Sequence, residues 1–330
     1  MRRPHGRLAW AILGWTLLVL LLEALQRTPA RRWGPLALAD LLHPWWFLPA
    51  LPLALLGLLG QRRRWVLPLV LLGMIWLASY GPRWFPPPPQ AGAGPTLRVL
   101  TWNVAGWNLD AADLDRVISA ENPDIIALQE VDGGLRLPLI ERWGTRYPFF
   151  ELRLPTVPGR EPADLALFSR YPYATSPLDC PYWECYRRAV TVTLPDRELT
   201  LINVHIERSA LRAWRDLGVP IPYAVSSERE DRTIARLLDD TAGWTAPLLI
   251  VGDFNTSERQ PGYQQLAARW GDSWRERGRG LGMTWPRIAL TPPLLRIDYL
   301  WHSQHLSVQR AALGSGRSDH RYVLADFRWR

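Results

Sequence analysis

The chain has 330 residues, enough for one large domain and an appendage. Its basic residues are all arginine, which excludes Schiff-base chemistry, a lysine general base and a P-loop lysine. Residues 1–90 hold ten Arg and two acids, Glu23 and Asp40, whereas 91–330 hold 29 of each sign, so the whole net charge of +8 lies in the first segment and the remainder lacks the basic balance of a nucleic-acid-binding domain.

In chain order, three apolar runs come first. Residues 8–25 are close to the length that crosses a bilayer. Residues 36–60 are interrupted by Asp40, His43, Pro44, Pro49 and Pro52, which predicts a kinked or re-entrant path. Residues 65–80 form a third, shorter run. Trp33, Trp45, Trp46, Trp65, Trp76, Tyr80 and Trp84 flank these runs as interfacial aromatics do. Arg2, Arg3, Arg7 and Arg62 to Arg64 fall on one side of a three-crossing topology, against Arg27, Arg31, Arg32 and Arg83 on the other. The expectation is a membrane segment over 1–85 with about three transmembrane helices. It places the chain as a multi-pass protein of the cytoplasmic membrane with an extracytoplasmic catalytic domain. Two crossings with a cytoplasmic domain are the alternative. A cleaved signal peptide fits poorly, because further apolar runs follow.

Residues 86–95 are rich in Pro, Ala and Gly and read as a linker. The catalytic domain is expected over 96–330. Cys180 and Cys185 lie close together within it, as a disulfide or as two inert thiols rather than half a zinc site.

Short runs of β-formers then end repeatedly in polar residues. "LRVLTWN" ends in Asn103, "PDIIALQE" in Gln129 and Glu130, "LTLINVH" in His205, and "LLIVGDFN" in Asp253 and Asn255. "LRIDYL" carries Asp298, and "GRSDHRYVLADF" sets Asp319 and His320 before a last strand. Helices are predicted over 110–120, over 227–239 with Ser227 and Glu230 as a capping box, and over 261–270. Strands alternating with helices predict a layered α/β domain. Residues i and i+2 of a strand share a face, so an extended 253–255 segment aims Asp253 and Asn255 at one spot.

Such a convergence suits phosphoester hydrolysis. A hard cation such as Mg²⁺ or Mn²⁺ takes oxygen ligands, with Glu130 as the anchor and Asn103 and Asp319 beside it. The catalytic candidates are His205, Asp253, Asn255, Asp298 and His320. His320, oriented by Asp298, can act as general base, and so can Asp253; both assignments stand. Asn255 and His205 can donate to phosphate oxygens.

The ordered set "TWNV", "LQE", "NVH", "GDFN", "RIDYL" and "SDH", with "LALFSRYPY" and "MTWP", resembles the endonuclease/exonuclease/phosphatase family over about residues 97–328. The resemblance implies a DNase I-like four-layer α/β/β/α sandwich, here preceded by an N-terminal transmembrane segment. It also implies Mg²⁺- or Mn²⁺-dependent phosphodiesterase or phosphomonoesterase activity and the residue roles above. The residue supporting His205 is open among Glu151, Tyr182, Glu184 and Tyr186. The apolar N-terminus resembles a membrane-anchored bacterial branch of the family.

The expected partners are a lipid bilayer and a phosphorylated substrate, with no protein partner. A phospholipid or polyprenyl pyrophosphate is favoured, because tethering raises the effective concentration of a lipid. The Arg/Trp stretches 208–223 and 269–280 fit that picture. An extracytoplasmic nuclease acting on DNA and a catalytically inactive binding module are the alternatives.

Overall fold

A computed structural model describes residues 5–59, 66–89, 91–105, 110–153, 165–180, 186–214, 221–287 and 292–330. The chain forms two compact units, Met1–Phe85 with Ala210–Ser226, and Pro86–Ser209 with Ser227–Arg330.

The first unit is mostly helical: α1 (His5–Leu25), α2 (Gly34–Leu41), a 3₁₀ segment His43–Phe47, α3 (Ala50–Leu59) and α4 (Leu67–Tyr80). Ile12, Val19, Phe47, Leu69 and Leu72 form its core. His43 is fully buried, and its ring nitrogens meet Glu23 and Tyr80. The hairpin of residues 210–226 packs on α2. A Cβ at Gly34 would stand 2.8 Å from that of Ala224, so glycine permits the approach.

These helices overturn the multi-pass expectation. Among the described residues one helix, Arg7–Leu25, is long and apolar enough to cross a membrane, and at most a second if Gly34–Leu41 and His43–Leu59 count as one span bent by 75°. The bend falls at the Pro-interrupted run. Helix α4 has 14 residues, about 21 Å at ~1.5 Å per residue, short of a ~30 Å hydrocarbon core. The third crossing is therefore lost, and the multi-pass placement built on three crossings falls with it. Arg62 to Arg64 and Trp65 lie outside the described residues.

The second unit is a sandwich. Its elements run β1 (Ala93–Asn103), α5 (Ala111–Glu121), β2 (Ile125–Gln129), α6 (Arg136–Trp143), β3 (Phe149–Arg153), β4 (Leu165–Ser169), β5 (Tyr173–Thr175), β6 (Arg187–Thr193) and β7 (Glu198–His205). Strands β8 (Ala210–Trp214) and β9 (Ile221–Ser226) then form the hairpin of the first unit. The second unit resumes with α7 (Glu228–Asp240), β10 (Leu248–Asp253), α8 (Pro261–Ala267), β11 (Gly271–Asp272), α9 (Ser273–Arg277), β12 (Asp298–His302), β13 (Leu306–Ser315) and β14 (Arg321–Trp329). Two six-stranded mixed sheets result, ordered β13-β14-β1-β2-β4-β3 and β11-β12-β10-β7-β6-β5.

The strand period of two builds four layers. Val99, Ile125 and Ala127 of the first sheet meet Val190, Leu201, Leu249 and Val251 of the second. The alternate residues Leu100, Trp102, Ile126 and Phe168 pack outward on Leu114 and Ile118 of α5 and Leu139 and Trp143 of α6. On the other sheet Ile202, Val204 and Ile250 pack on Ile234 and Leu237 of α7 and Leu266 of α8. The layers are therefore helix, sheet, sheet, helix, as expected of a DNase I-like α/β sandwich.

Local chemistry sets the helix ends. Asp110 caps α5 by accepting from Asp113 N at 2.7 Å. Ser227 precedes α7, but the predicted capping box does not form. Ser227 Oγ donates to Asp231 at 2.8 Å, and Glu230 turns inward and is fully buried. Cys180 is disulfide-bonded, and Cys185 lies outside the described residues.

Candidate active site

One edge of the sandwich gathers the polar strand ends. Parallel strands β1 and β2 finish there, and antiparallel β14 starts there; β7 and β10 finish there, and antiparallel β12 starts there. In the second sheet His205, Asp253 and Asp298 stand side by side, Asp253 pairing in register with both others. Asn103, His205, Asp253 and Asp298 continue the inner-face columns of Val99, Leu201, Leu249 and Leu300, so their side chains enter the gap between the sheets.

Asn103 joins the two halves. Its Nδ2 donates to Glu130 Oε1 and to Asp253 Oδ2, at 3.0 Å in each case, while its Oδ1 accepts from Ala105 N at 3.1 Å. His320 Nδ1 donates to Asp298 at 3.0 Å, and its Nε2 lies 3.9 Å from Asp253 Oδ2. His205 Nε2 lies 3.5 Å from Glu130 and 3.9 Å from Asp253. Asp253, Asp298 and His320 are buried, and their donor atoms lie within 4.8 Å of one another, a spacing that can hold a metal ion. This buried acid–imidazole triad is consistent with the active site of a metal-dependent hydrolase.

Asp319 stands beside this triad in chemistry. Its Oδ2 accepts from Trp285 Nε1 at 3.1 Å, and its Oδ1 is buried without a hydrogen-bond partner among the described residues. A buried carboxylate oxygen left unpaired is expensive, and a cation or a bound donor would satisfy it. Carboxylate oxygens such as those of Asp319 and Glu130 are of the hard type that Mg²⁺ or Mn²⁺ takes, whereas Asn103 turns its amide NH2, not its oxygen, toward Glu130 and Asp253.

The backbone is shaped to fit. Of four non-glycine residues with positive φ among the described residues, Ala105, Glu130 and Asn255 flank this edge, and Asn122 caps α5. Gly252 has φ +136°, and a Cβ there would meet the Val204 carbonyl oxygen at 2.0 Å. Only glycine lets β10 approach β7 so closely just before Asp253.

One sequence expectation needs correction in detail. The strand ends at Asp253 instead of continuing to Asn255. Asn255 is left-handed at φ 49°, donates its N–H to Asp253 Oδ1 at 2.9 Å, and donates Nδ2 to the Ile206 carbonyl at 2.8 Å. Turn chemistry thus operates at this position and locks the loops after β7 and β10 together. Arg296, two residues before Asp298, is buried between Glu258 and Asp272. Of the candidates for supporting His205, Glu151 pairs with Arg188 and Tyr186 with Arg187, while Tyr182 and Glu184 lie outside the described residues.

Four contributors were not foreseen. Arg208, exposed to 71%, reaches Glu130 at 3.3 Å. Ser318 Oγ donates to the Asn103 carbonyl at 2.7 Å and accepts from His320 N at 3.0 Å. Thr284 Oγ1 accepts from Ile297 N at 3.1 Å, fixing the entry to β12, and Trp285 holds Asp319. The quoted stretches "SDH" and "MTWP" contained three of them, but no periodicity separates such residues from ordinary loop positions.

Electrostatics divide the groups. Burial opposes the charge of Glu130, yet the Asn103 hydrogen bond and the charges of His205, Arg208 and His320 outweigh it and hold this carboxyl below its usual range. Burial, reinforced by Asp298, raises Asp253 to about 6 against the pull of His320, His205 and Asn103. Burial would lower His320, but the charge and hydrogen bond of Asp298, with Asp253 and Asp319, raise it to about 9.

The family described as "Endonuclease/Exonuclease/phosphatase family" matches residues 100–320. No curated protein matches the chain. Among solved structures, the human Nocturnin catalytic domain with bound sulfate shares 23% identity, covering 74% of this chain and 100% of that one with a TM-score of 0.50. An endonuclease/exonuclease/phosphatase from Bacteroides vulgatus shares 15%, covering 72% and 100%, with a TM-score of 0.54. D. rerio TDP2 complexed with single-strand DNA product shares 19%, covering 71% and 99%, with a TM-score of 0.53. At these identities the likeness concerns the fold.

Proposed function

The chain belongs to the endonuclease/exonuclease/phosphatase family, and from that premise we propose that it is a divalent-metal-dependent phosphoesterase acting on nucleic-acid or nucleotide phosphoesters. The observation that carries the reading is the Asn103 amide, held 3.0 Å from one carboxylate of each sheet, Glu130 and Asp253, beside the His320–Asp298 pair. Glu130 and Asp319 would hold Mg²⁺ or Mn²⁺, with Asn103 orienting Glu130 through its amide, and the ion when bound supplies positive charge to the phosphate and to the leaving oxygen.

The protein's own groups then divide the proton work. Raised to about 9, His320 is an imidazolium at neutral pH and cannot take a proton; it offers charge and Nε2–H to a phosphate oxygen. Raised only to about 6, Asp253 is ionised at neutral pH and accepts a proton from the attacking water. Of the two candidate bases, Asp253 is therefore the one assigned. His205, half-buried at the mouth, donates to a second phosphate oxygen, and Asn255 fixes the loop that orients Asp253.

The substrate preference follows from three considerations. The lipid-pyrophosphate reading leaned on multi-pass anchoring, which the helices do not provide. The structural neighbours include TDP2 with single-strand DNA product. Exposed Arg208 beside Glu130 supplies local positive charge that the neutral overall balance of 91–330 conceals. Helix α1, with Trp10, Leu17 and Leu21 exposed, is the one continuous helix among the described residues that could attach the protein to a bilayer.

The test is a panel of single-stranded DNA, a mononucleotide and a lipid pyrophosphate, each with Mg²⁺ or EDTA. Metal-dependent cleavage of DNA or of the mononucleotide is expected. Turnover of the lipid alone would reject the substrate assignment, and no turnover of any member would reject the enzyme reading.

A further inference from the structure

Beneath the catalytic edge, in the gap between the sheets, lies a polar rung. Thr101 on β1, Gln129 on β2 and Asn203 on β7 are fully buried. Gln129 Nε2 donates across the gap to Asn203 Oδ1 at 2.7 Å and, within its own sheet, to Thr101 Oγ1 at 3.0 Å. Asn203 Nδ2 donates back to two carbonyls of the opposite sheet, Leu128 at 3.1 Å and Ala166 at 3.2 Å. The neighbouring inner-face positions hold Val99, Ala127, Leu201 and Val251, so this space is of a kind that apolar side chains fill.

Amides here must repay their desolvation with hydrogen bonds, and an apolar pair would not. What amides add is direction. Apolar contacts tolerate small slides between two sheets, whereas hydrogen bonds weaken steeply with distance and angle. The placement shows where that direction is used. Thr101 is two residues before Asn103, Gln129 immediately precedes Glu130, and Asn203 is two residues before His205. One sheet carries Asn103 and Glu130; the other carries His205, Asp253 and Asp298. The active site is thus split across the gap that the rung spans, and Asn103 reaches over it to Asp253.

We propose that Gln129 and Asn203 are positioning residues whose cross-sheet hydrogen bond sets the register between the two halves of the active site. The proposal rests on the hydrolase reading above. Neither residue meets substrate; they act through Asn103, Glu130 and His205. A displacement of about 1 Å between reacting groups can cost ~10²-fold in rate, which sets the expected effect.

The experiment uses the full chain with Gln129→Met and Asn203→Leu, both close in volume, the double variant, and Asn203→Ser as a milder change. Thermal unfolding by circular dichroism establishes the folded fraction, Mn²⁺ titration by calorimetry reads the metal half directly, and kcat and KM are measured on whichever panel substrate wild type cleaves. In folded variants kcat falls about 10²-fold with KM within about threefold, Mn²⁺ binds about tenfold more weakly, and the double variant is no worse than the poorer single one. Folded Leu or Ser variants with wild-type kcat and Mn²⁺ affinity would overturn the proposal, as would failure of both Asn203 variants to fold. If wild type hydrolyses nothing, the functional reading fails, and the Mn²⁺ titration still decides the rung.

Discussion

Replacing Asp298 by Asn tests the division of proton work most sharply. Asp298 is buried, and both its oxygens lie within 3.2 Å of His320 Nδ1. Its charge and hydrogen bond are the largest favourable influences on an imidazolium raised from 6.5 to about 9, against the cost of burial. That difference is roughly 3 kcal/mol at ~1.4 kcal/mol per unit, shared with Asp253 and Asp319. Asn keeps the shape and an acceptor but removes the charge, so His320 loses its proton at a lower pH. Wild type should show a bell-shaped kcat profile, rising as Asp253 ionises near pH 6 and falling as His320 loses its proton near pH 9; both limbs belong to the coupled set. In the variant the basic limb should move down by about one to two units, and kcat at pH 8.5 should fall about 3- to 25-fold. Initial rates from pH 5 to 10, at saturating substrate and Mg²⁺, measure both. A variant within threefold of wild type, with its basic limb unmoved, would refute the assignment of His320 as a charged group.

Three further outcomes follow from the same geometry. Asn103→Ala removes the amide between Glu130 and Asp253, so Mn²⁺ affinity should fall 10- to 100-fold, on the order seen when a metal site loses such support; unchanged binding by calorimetry would separate Asn103 from the metal. Gly252→Ala drives a methyl into the Val204 carbonyl, so the unfolding free energy should drop by about 3 kcal/mol or more, and a melting temperature equal to wild type would contradict the close approach of β10 and β7. Glu230 is raised to about 9, chiefly by burial, so it is protonated in the fold at neutral pH. Its contribution to stability is whole below about 4.5 and declines as pH rises through about 9, so Glu230→Gln should gain on wild type in urea unfolding between pH 6 and 9, and parallel curves would reject a neutral Glu230.

The catalytic edge was legible because strand chemistry has a period of two. Inner-face columns such as Val99–Thr101–Asn103 and Leu249–Val251–Asp253 carry their polar terminal residue to the same edge whatever the loops do. Helices α5 and α7 were legible from their apolar stripes. Helix α6 was not, because Pro138 sits within eight residues that bury only Leu139 and Trp143. The rung residues were hidden for the opposite reason: Thr101 and Asn203 look like ordinary polar residues within a strand, and only the second sheet shows that they face inward. The membrane expectation failed on length. Composition marked three apolar runs, but helix continuity decides what can span, and prolines broke one run while the last helix stopped at 14 residues. At Asn255 the extended reading failed, because a left-handed turn residue there fixes the carboxylate beside it.

Hydrolysis of bis(p-nitrophenyl) phosphate by metal-stripped protein, before and after added Mg²⁺ or Mn²⁺ and alongside Asp253→Asn, tests the central claim most directly. The convergence of Asn103, Glu130, Asp253, Asp298, Asp319 and His320 predicts no turnover without metal, turnover on its return, and loss of about 10²-fold or more in the variant. Turnover that persists in EDTA, or an Asp253→Asn enzyme as fast as wild type, would contradict it.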